Sequence, residues 1–137
     1  NQAAEGPVGA STATTSTFSR QADGGEFSST YELVATLESL GIPCGAPDHY
    51  ISRTNDQVVG CTTAESKVHF IVARPGDRTF RSRLESDPAT QDLRNLFLVG
   101  RNWALDTACD HEYGNRVRNA IGGEFLRRRF LIPSNCP

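Results

Sequence analysis

Apolar positions are sparse at the start of this chain and then fall into two distinct periods. Residues 1 to about 25 hold only Val8 and Phe18 as large apolar side chains, among Ala, Ser, Thr and Gly. A segment of that composition buries too little surface to offset its ordering entropy, so residues 1–26 read as a flexible tether and 27–137 as one folded domain. From Phe27 onward the pattern changes. Leu33, Leu37 and Leu40 recur at i, i+4 and i+7 with Val34 beside them, which places them on one face of a helix. Ser29-Thr30-Tyr31-Glu32 supplies a capping box at its start, and Gly41 and Pro43 supply stop chemistry at its end.

Period-two stretches follow. His49 to Arg53 and Gln57 to Thr62, separated by the turn-forming Thr54-Asn55-Asp56, read as a hairpin. Lys67 to Arg74 is the clearest strand, with Val68, Phe70 and Val72 alternating with Lys67, His69 and Ile71, and Pro75-Gly76 ends it. Phe80 and Leu84 suggest a helical turn, and Asp87-Pro88 a capped start for a short helix carrying Leu93. Leu96 to Asp106, LFLVGRNWALD, returns to strand character and carries the only tryptophan, Trp103. Cys109-Asp110 then opens a helix with Tyr113, Val117, Ala120 and Ile121 on one face and Gly122-Gly123 as its stop. The tail from Glu124 is expected to be a last strand or a packed extended segment. This order gives an α+β fold: a small, mostly antiparallel sheet with two or three helices packed on one face.

Composition narrows the class. A 137-residue chain with net charge −2 sits with single globular domains, and no window approaches the roughly 18 unbroken apolar residues of a membrane span. There is no methionine, and position 1 is Asn. A cleaved export signal upstream of Asn1 is the simplest expectation. The four cysteines, Cys44, Cys61, Cys109 and Cys136, include no CxxC pair and match no zinc-ligand spacing. In an exported chain they are expected to form two disulfides. Of the three pairings open to them, Cys44 with Cys61 and Cys109 with Cys136 is preferred, because each closes a loop of roughly 18 to 28 residues.

Asp110-His111-Glu112 is the densest ionisable cluster, and a histidine between two carboxylates has the ingredients of a general base or metal ligand. Acidic residues in the first turn of a helix are equally accounted for by the helix dipole, and HEYGN lacks the second histidine of a zinc-protease motif. His49 and His69 fall on neighbouring candidate strands; with Asp48 or Asp56 they would make a metal site if the fold brought them together, although no ligand spacing calls for one. No nucleophile motif is present, no cofactor is called for, and disulfide formation consumes the thiols.

Arg116, Arg118, Arg127, Arg128 and Arg129 make the last 29 residues net positive by two, whereas the first 40 are net negative by four. A basic end of that kind suits anionic lipid or cell-wall phosphate; nucleic acid is the poorest partner for an acidic exported protein. Trp103 at the end of an apolar run reads as a core anchor, with an exposed binding aromatic as the alternative. Candidate binding residues are therefore Arg116, Arg127, Arg128, Arg129 and Trp103.

Leu98-Val99-Gly100-Arg101-Asn102-Trp103, followed about 18 residues later by Ala120-Ile121-Gly122-Gly123, resembles small extracytoplasmic lipoproteins of actinobacteria. In those sequences a strand ending "VGxNW" precedes a helix ending in "GG", and an earlier cysteine pair flanks a hairpin, as Cys44 and Cys61 would here. The resemblance covers about residues 29 to 123 and implies a secreted or lipid-anchored domain, with the anchor upstream of Asn1. It carries no activity over, and the Arg-rich tail and second cysteine pair depart from it. The expectation is a non-enzymatic extracytoplasmic domain that binds an unknown protein or envelope component. The alternatives are a small secreted hydrolase using Asp110, His111 and Glu112, and a phage-encoded or defensive envelope lipoprotein that blocks a partner protein.

Overall fold

The computed structural model describes residues 18–86 and 96–126. Helix α1 (Thr30–Ser39) starts where the sequence expects it. The Ser29 hydroxyl accepts the Glu32 N–H at 3.0 Å, and the Glu32 carboxylate reaches back one residue further than in a standard box, accepting the Ser28 N–H at 2.7 Å. Gly41, at φ +85°, lets the chain reverse so that the Gly41 and Ile42 N–H groups return to the Glu38 and Leu37 carbonyls.

Strands β1 (Gly45–Ile51), β2 (Gln57–Thr62) and β3 (Lys67–Val72) form an antiparallel meander. The β1–β2 turn closes through the Ser52 N–H to the Asp56 carbonyl, with Asn55 at φ 65° in the left-handed position that asparagine tolerates. Helix α2 (Phe80–Ser86) follows, as Phe80 and Leu84 suggest. The helix expected at Asp87-Pro88 and Leu93 lies outside the described residues. Leu96 to Asp106 is not one strand but a tight hairpin, β4 (Phe97–Val99) and β5 (Trp103–Asp106), turned at Gly100-Arg101-Asn102 and closed by the Gly100 N–H to the Trp103 carbonyl at 2.8 Å. Helix α3 (His111–Ile121) and the short strand β6 (Glu124–Phe125) complete the described chain. The sheet order is β1-β2-β3-β5-β4-β6, antiparallel throughout.

The alternation of β3 divides the molecule into two layers. Val68, Phe70 and Val72 join Val59, Leu98, Trp103 and Leu105 against α1 and α3. The other face holds Val99 and Ala104 with Ile71 beside them, and there Phe80 and Leu84 of α2 pack. Two helices therefore cover one face and the third covers part of the opposite one, which corrects the one-sided arrangement. The reason is that β4 is apolar on both faces: Phe97, Leu98 and Val99 are all buried, and an apolar strand needs cover on each side.

The Cys44–Cys61 bridge forms as the loop lengths favour, joining the chain after α1 to the middle of the sheet, with both cysteines buried. Cys109 is not a free thiol, but Cys136, its expected partner, lies outside the described residues.

The tether boundary is displaced. From Phe18 on, the chain is part of the fold: the Gln21 N–H donates to Ile121, the Gly123 N–H to Ala22, and the Phe18 ring stacks on Phe27 at 5.6 Å. Main-chain hydrogen bonds and the single bulky side chain of Phe18 hold this stretch, which is why its composition does not announce it.

Candidate functional site

Asp110, His111 and Glu112 do not converge. Asp110 is the N-cap of α3: one carboxylate oxygen accepts the Tyr113 N–H at 3.0 Å and the other accepts the Thr63 hydroxyl. A carboxylate so engaged is holding a helix start. Asp110 and Glu112 line a cleft of about 290 Å³ with Pro43, Thr63, Glu65 and Arg116, but His111 is not among its lining residues. The His111 Nε2 is buried without a hydrogen-bond partner. Tyr113, under the cleft, donates its phenol to the Pro43 carbonyl at 3.2 Å, and burial pushes its pKa up to about 12.

The two strand histidines are kept apart. His49 stands opposite Val59, which stands opposite Phe70, so it lies on the α1 side. There its Nδ1 meets the Thr30 hydroxyl at 2.8 Å and its ring stacks on Tyr31 at 3.7 Å. His69 stands between Gly60 and Asp106 on the other face, with β2 intervening. The approach expected of these histidines does not occur. Among the described residues no group of three or more His, Cys, Asp or Glu side chains is placed to hold a metal ion.

Asp56 is occupied elsewhere. Its two oxygens accept from the two terminal nitrogens of Arg83 at 3.1 Å each, and Arg83 also pairs with Asp77. Thr79, through its hydroxyl and N–H, and the Arg83 guanidinium hold the Asp77 carboxyl well below the usual range. The same two carboxylates raise the Arg83 pKa. The group clamps α2 to the β1–β2 turn, beside a cleft of about 470 Å³ lined by Ser52, Thr54, Val58 and Ile71.

Of the candidate binding residues, Trp103 is fully buried and donates its indole N–H to the Gly24 carbonyl, so it offers no surface. Arg116 is exposed and donates to the Gly41 carbonyl at 3.1 Å, tying α3 to the end of α1. Arg127, Arg128 and Arg129 lie outside the described residues.

The surface that stands out carries none of the residues that the sequence motifs single out for binding. Tyr31, Tyr50 and Ile51 are 64%, 46% and 62% exposed, and all three lie on or against β1. β1 is the terminal strand of the sheet, and its outer edge has no strand partner among the described residues. Ser52 directs both its N–H and its carbonyl toward the turn, to Asp56 and Asn55. Alternation along an extended strand then turns Tyr50 the same way and leaves the backbone groups of His49 and Ile51 facing outward. The first half of the edge is guarded by a register shift between Gly45 and Asp48, with Ala46 at φ 46°, and by Pro47, which has no N–H. The second half, from Asp48 on, is not. A signal did exist: Tyr50 and Ile51 are adjacent apolar residues in a strand that carries a proline near its start, which marks an edge whose side chains are not all spoken for by the core. Comparison of the chain with protein-family models, with curated proteins and with solved structures found no match.

Proposed function

We propose that this chain is a non-enzymatic, disulfide-stapled extracytoplasmic domain, secreted or lipid-anchored, that works by binding another protein chain along the outer edge of β1. The observation that carries the reading is the gathering of the exposed large apolar residues Tyr31, Tyr50 and Ile51 on one strand edge that has no strand partner among the described residues. An exposed sheet edge with unpaired backbone groups is a template for strand addition: main-chain hydrogen bonds give affinity, and alternate side chains give specificity. The Cys44–Cys61 bridge supports an oxidising compartment. A second bridge from Cys109 to Cys136 belongs to the same proposal, and so does kinship with the actinobacterial lipoprotein type. The engagement of Asp110 as a helix cap, apart from His111, weighs against a hydrolase built on that cluster.

Site-specific photo-crosslinking in the cell that makes the protein is the test. A benzophenone side chain at Ile51 or Tyr50 is expected to give adducts of defined mass in the extracytoplasmic fraction, while the same group at Ser82, on α2, gives none. Equal labelling at all three positions, or none at the edge, overturns the proposal.

A further inference from the structure

We infer that the occupant of the β1 edge is a second copy of this chain, paired antiparallel across a two-fold axis that passes through Tyr50. This rests on the reading of β1 as an interaction edge and names the partner.

Two features of the strand agree on this register. The first is backbone polarity. In an antiparallel pair the residues that exchange both hydrogen bonds must turn their N–H and carbonyl groups toward each other. Centring the axis on Tyr50 sets His49 opposite Ile51 of the second copy, and Ile51 opposite its His49. Those are the residues whose backbone groups face outward on β1, so the pairing forms four main-chain hydrogen bonds. Pro47 lies outside this paired stretch, so its missing N–H removes no hydrogen bond from it.

The second feature is the apolar pattern. His49 and Ile51 lie on the α1 side of the sheet, where the His49 ring carries the exposed Tyr31. In this register Ile51 of each copy lands beside the His49–Tyr31 stack of the other, so exposed apolar surface is covered twice. On the opposite face the Tyr50 rings of the two copies meet as a directly facing pair, the arrangement in which aromatic cross-strand pairs interact best.

The result is one continuous sheet running through both copies. An edge of this length is in the small-interface class, so the dimer is expected to dissociate on dilution.

Two measurements on the full chain test this. By light scattering, the protein at about 100 µM is expected at twice the monomer mass. Under mild oxidation Tyr50→Cys is expected to give a disulfide-linked dimer, because a facing non-hydrogen-bonded pair brings Cα atoms within disulfide range. Asp48→Cys, about 14 Å from its counterpart along the strands, should not. Ile51→Asp checks the apolar contribution without an added thiol and should be monomeric. A monomer at every concentration, or an open-ended assembly from β1 of one copy on β6 of the next, overturns the inference. If Ile51 then photo-crosslinks a different protein, the edge is an interaction site with another occupant. If it crosslinks nothing, both readings fall.

Discussion

The indole N–H of Trp103 donates to the carbonyl of Gly24 at 3.0 Å, across 79 positions of chain. The same ring crowds the glycine that accepts from it: Gly24 sits at φ +81°, and a Cβ built there would stand 2.7 Å from Trp103 Cζ2 and 2.9 Å from the Gly100 Cα. Trp103 therefore serves as the post around which residues 18–27 are wrapped, with Phe27 edge-on to it at 6.4 Å. Gly24→Ala meets both an unfavourable backbone region and two contacts that are not flexible side-chain ends. It is expected to destabilise the fold by about 2 to 4 kcal/mol, read as a lower urea midpoint with unchanged slope.

A chain starting at Phe27 tests the same wrapping from the other side. It loses the stacking of Phe18, the Gln21–Ile121 and Gly123–Ala22 main-chain hydrogen bonds, and the acceptor of the Trp103 indole. A buried N–H left without a partner costs about 1 to 3 kcal/mol by itself. The shortened chain is expected to melt markedly lower than one starting at Phe18, whereas an equal midpoint would make this stretch the tether its composition suggests.

Arg83 holds two carboxylates that are themselves almost inaccessible, with side-chain exposures of 4% for Asp56 and 3% for Asp77. Arg83→Met leaves Asp56 without its counter-charge and Asp77 with only Arg74 at 3.9 Å, so α2 should loosen and the thermal midpoint fall by roughly 5 to 10 °C. The acid limb of stability gives an independent signature. The folded Asp77 carboxyl titrates below its unfolded value of about 4, so its contribution is complete above that pH and is lost as pH falls through the folded value. Unfolding curves below pH 4 should therefore be steeper in the native chain than in Asp77→Asn.

Much of the fold was legible in the residues. The capping box, the alternation from Lys67 to Val72, the pairing of Cys44 with Cys61 and the face carrying Tyr113, Val117 and Ile121 each follow from local chemistry, and the structure repeats them. Other features depend on long-range packing that no local pattern encodes. The apolar run from Leu96 hides a turn at Gly100-Arg101-Asn102, because Asn102 is anchored from afar, exchanging hydrogen bonds with the Phe27 backbone at 2.6 and 3.0 Å. The ionisable cluster at Asp110 stays open as a catalytic alternative in the sequence because adjacency cannot tell a carboxylate that caps a helix from one that faces substrate. The β1 edge is hidden for the opposite reason: its residues are ordinary, and only the sheet order makes them terminal.

Reducing the Cys44–Cys61 bridge tests how far the fold depends on it. The two cysteines are 17 residues apart, and closing a loop of that size is worth about 3 kcal/mol in the chain-entropy picture. Cys44→Ala with Cys61→Ala is expected to lose at least that amount, because both positions also lie in the core and the smaller side chains leave space behind. Denaturant titration of the double variant without reductant reads the loss, and a change below about 1 kcal/mol would show the bridge to be dispensable.

Tyr113 makes the fold sensitive to alkaline pH. Its ring packs edge-on against Phe70 at 6.2 Å, and its hydroxyl donates to the Pro43 carbonyl. Burial, with the nearby Asp110 and Glu38 charges adding to it and Arg116 opposing, raises the phenol from 10.0 to about 12. The folded state thus holds its proton more tightly than the unfolded chain does. Stability is full below pH 10, falls between pH 10 and about 12 as the unfolded phenol ionises first, and levels off above. That difference in proton affinity between the folded and unfolded chain corresponds to about 2 to 3 kcal/mol across the window. Tyr113→Phe should remove this alkaline slope while costing about 1 kcal/mol at neutral pH for the lost hydrogen bond. Urea midpoints measured from about pH 8 to about pH 12 on the two proteins separate the effects, since the variant begins lower and should end higher than the native chain. Parallel curves would place the phenol in contact with water in the folded state.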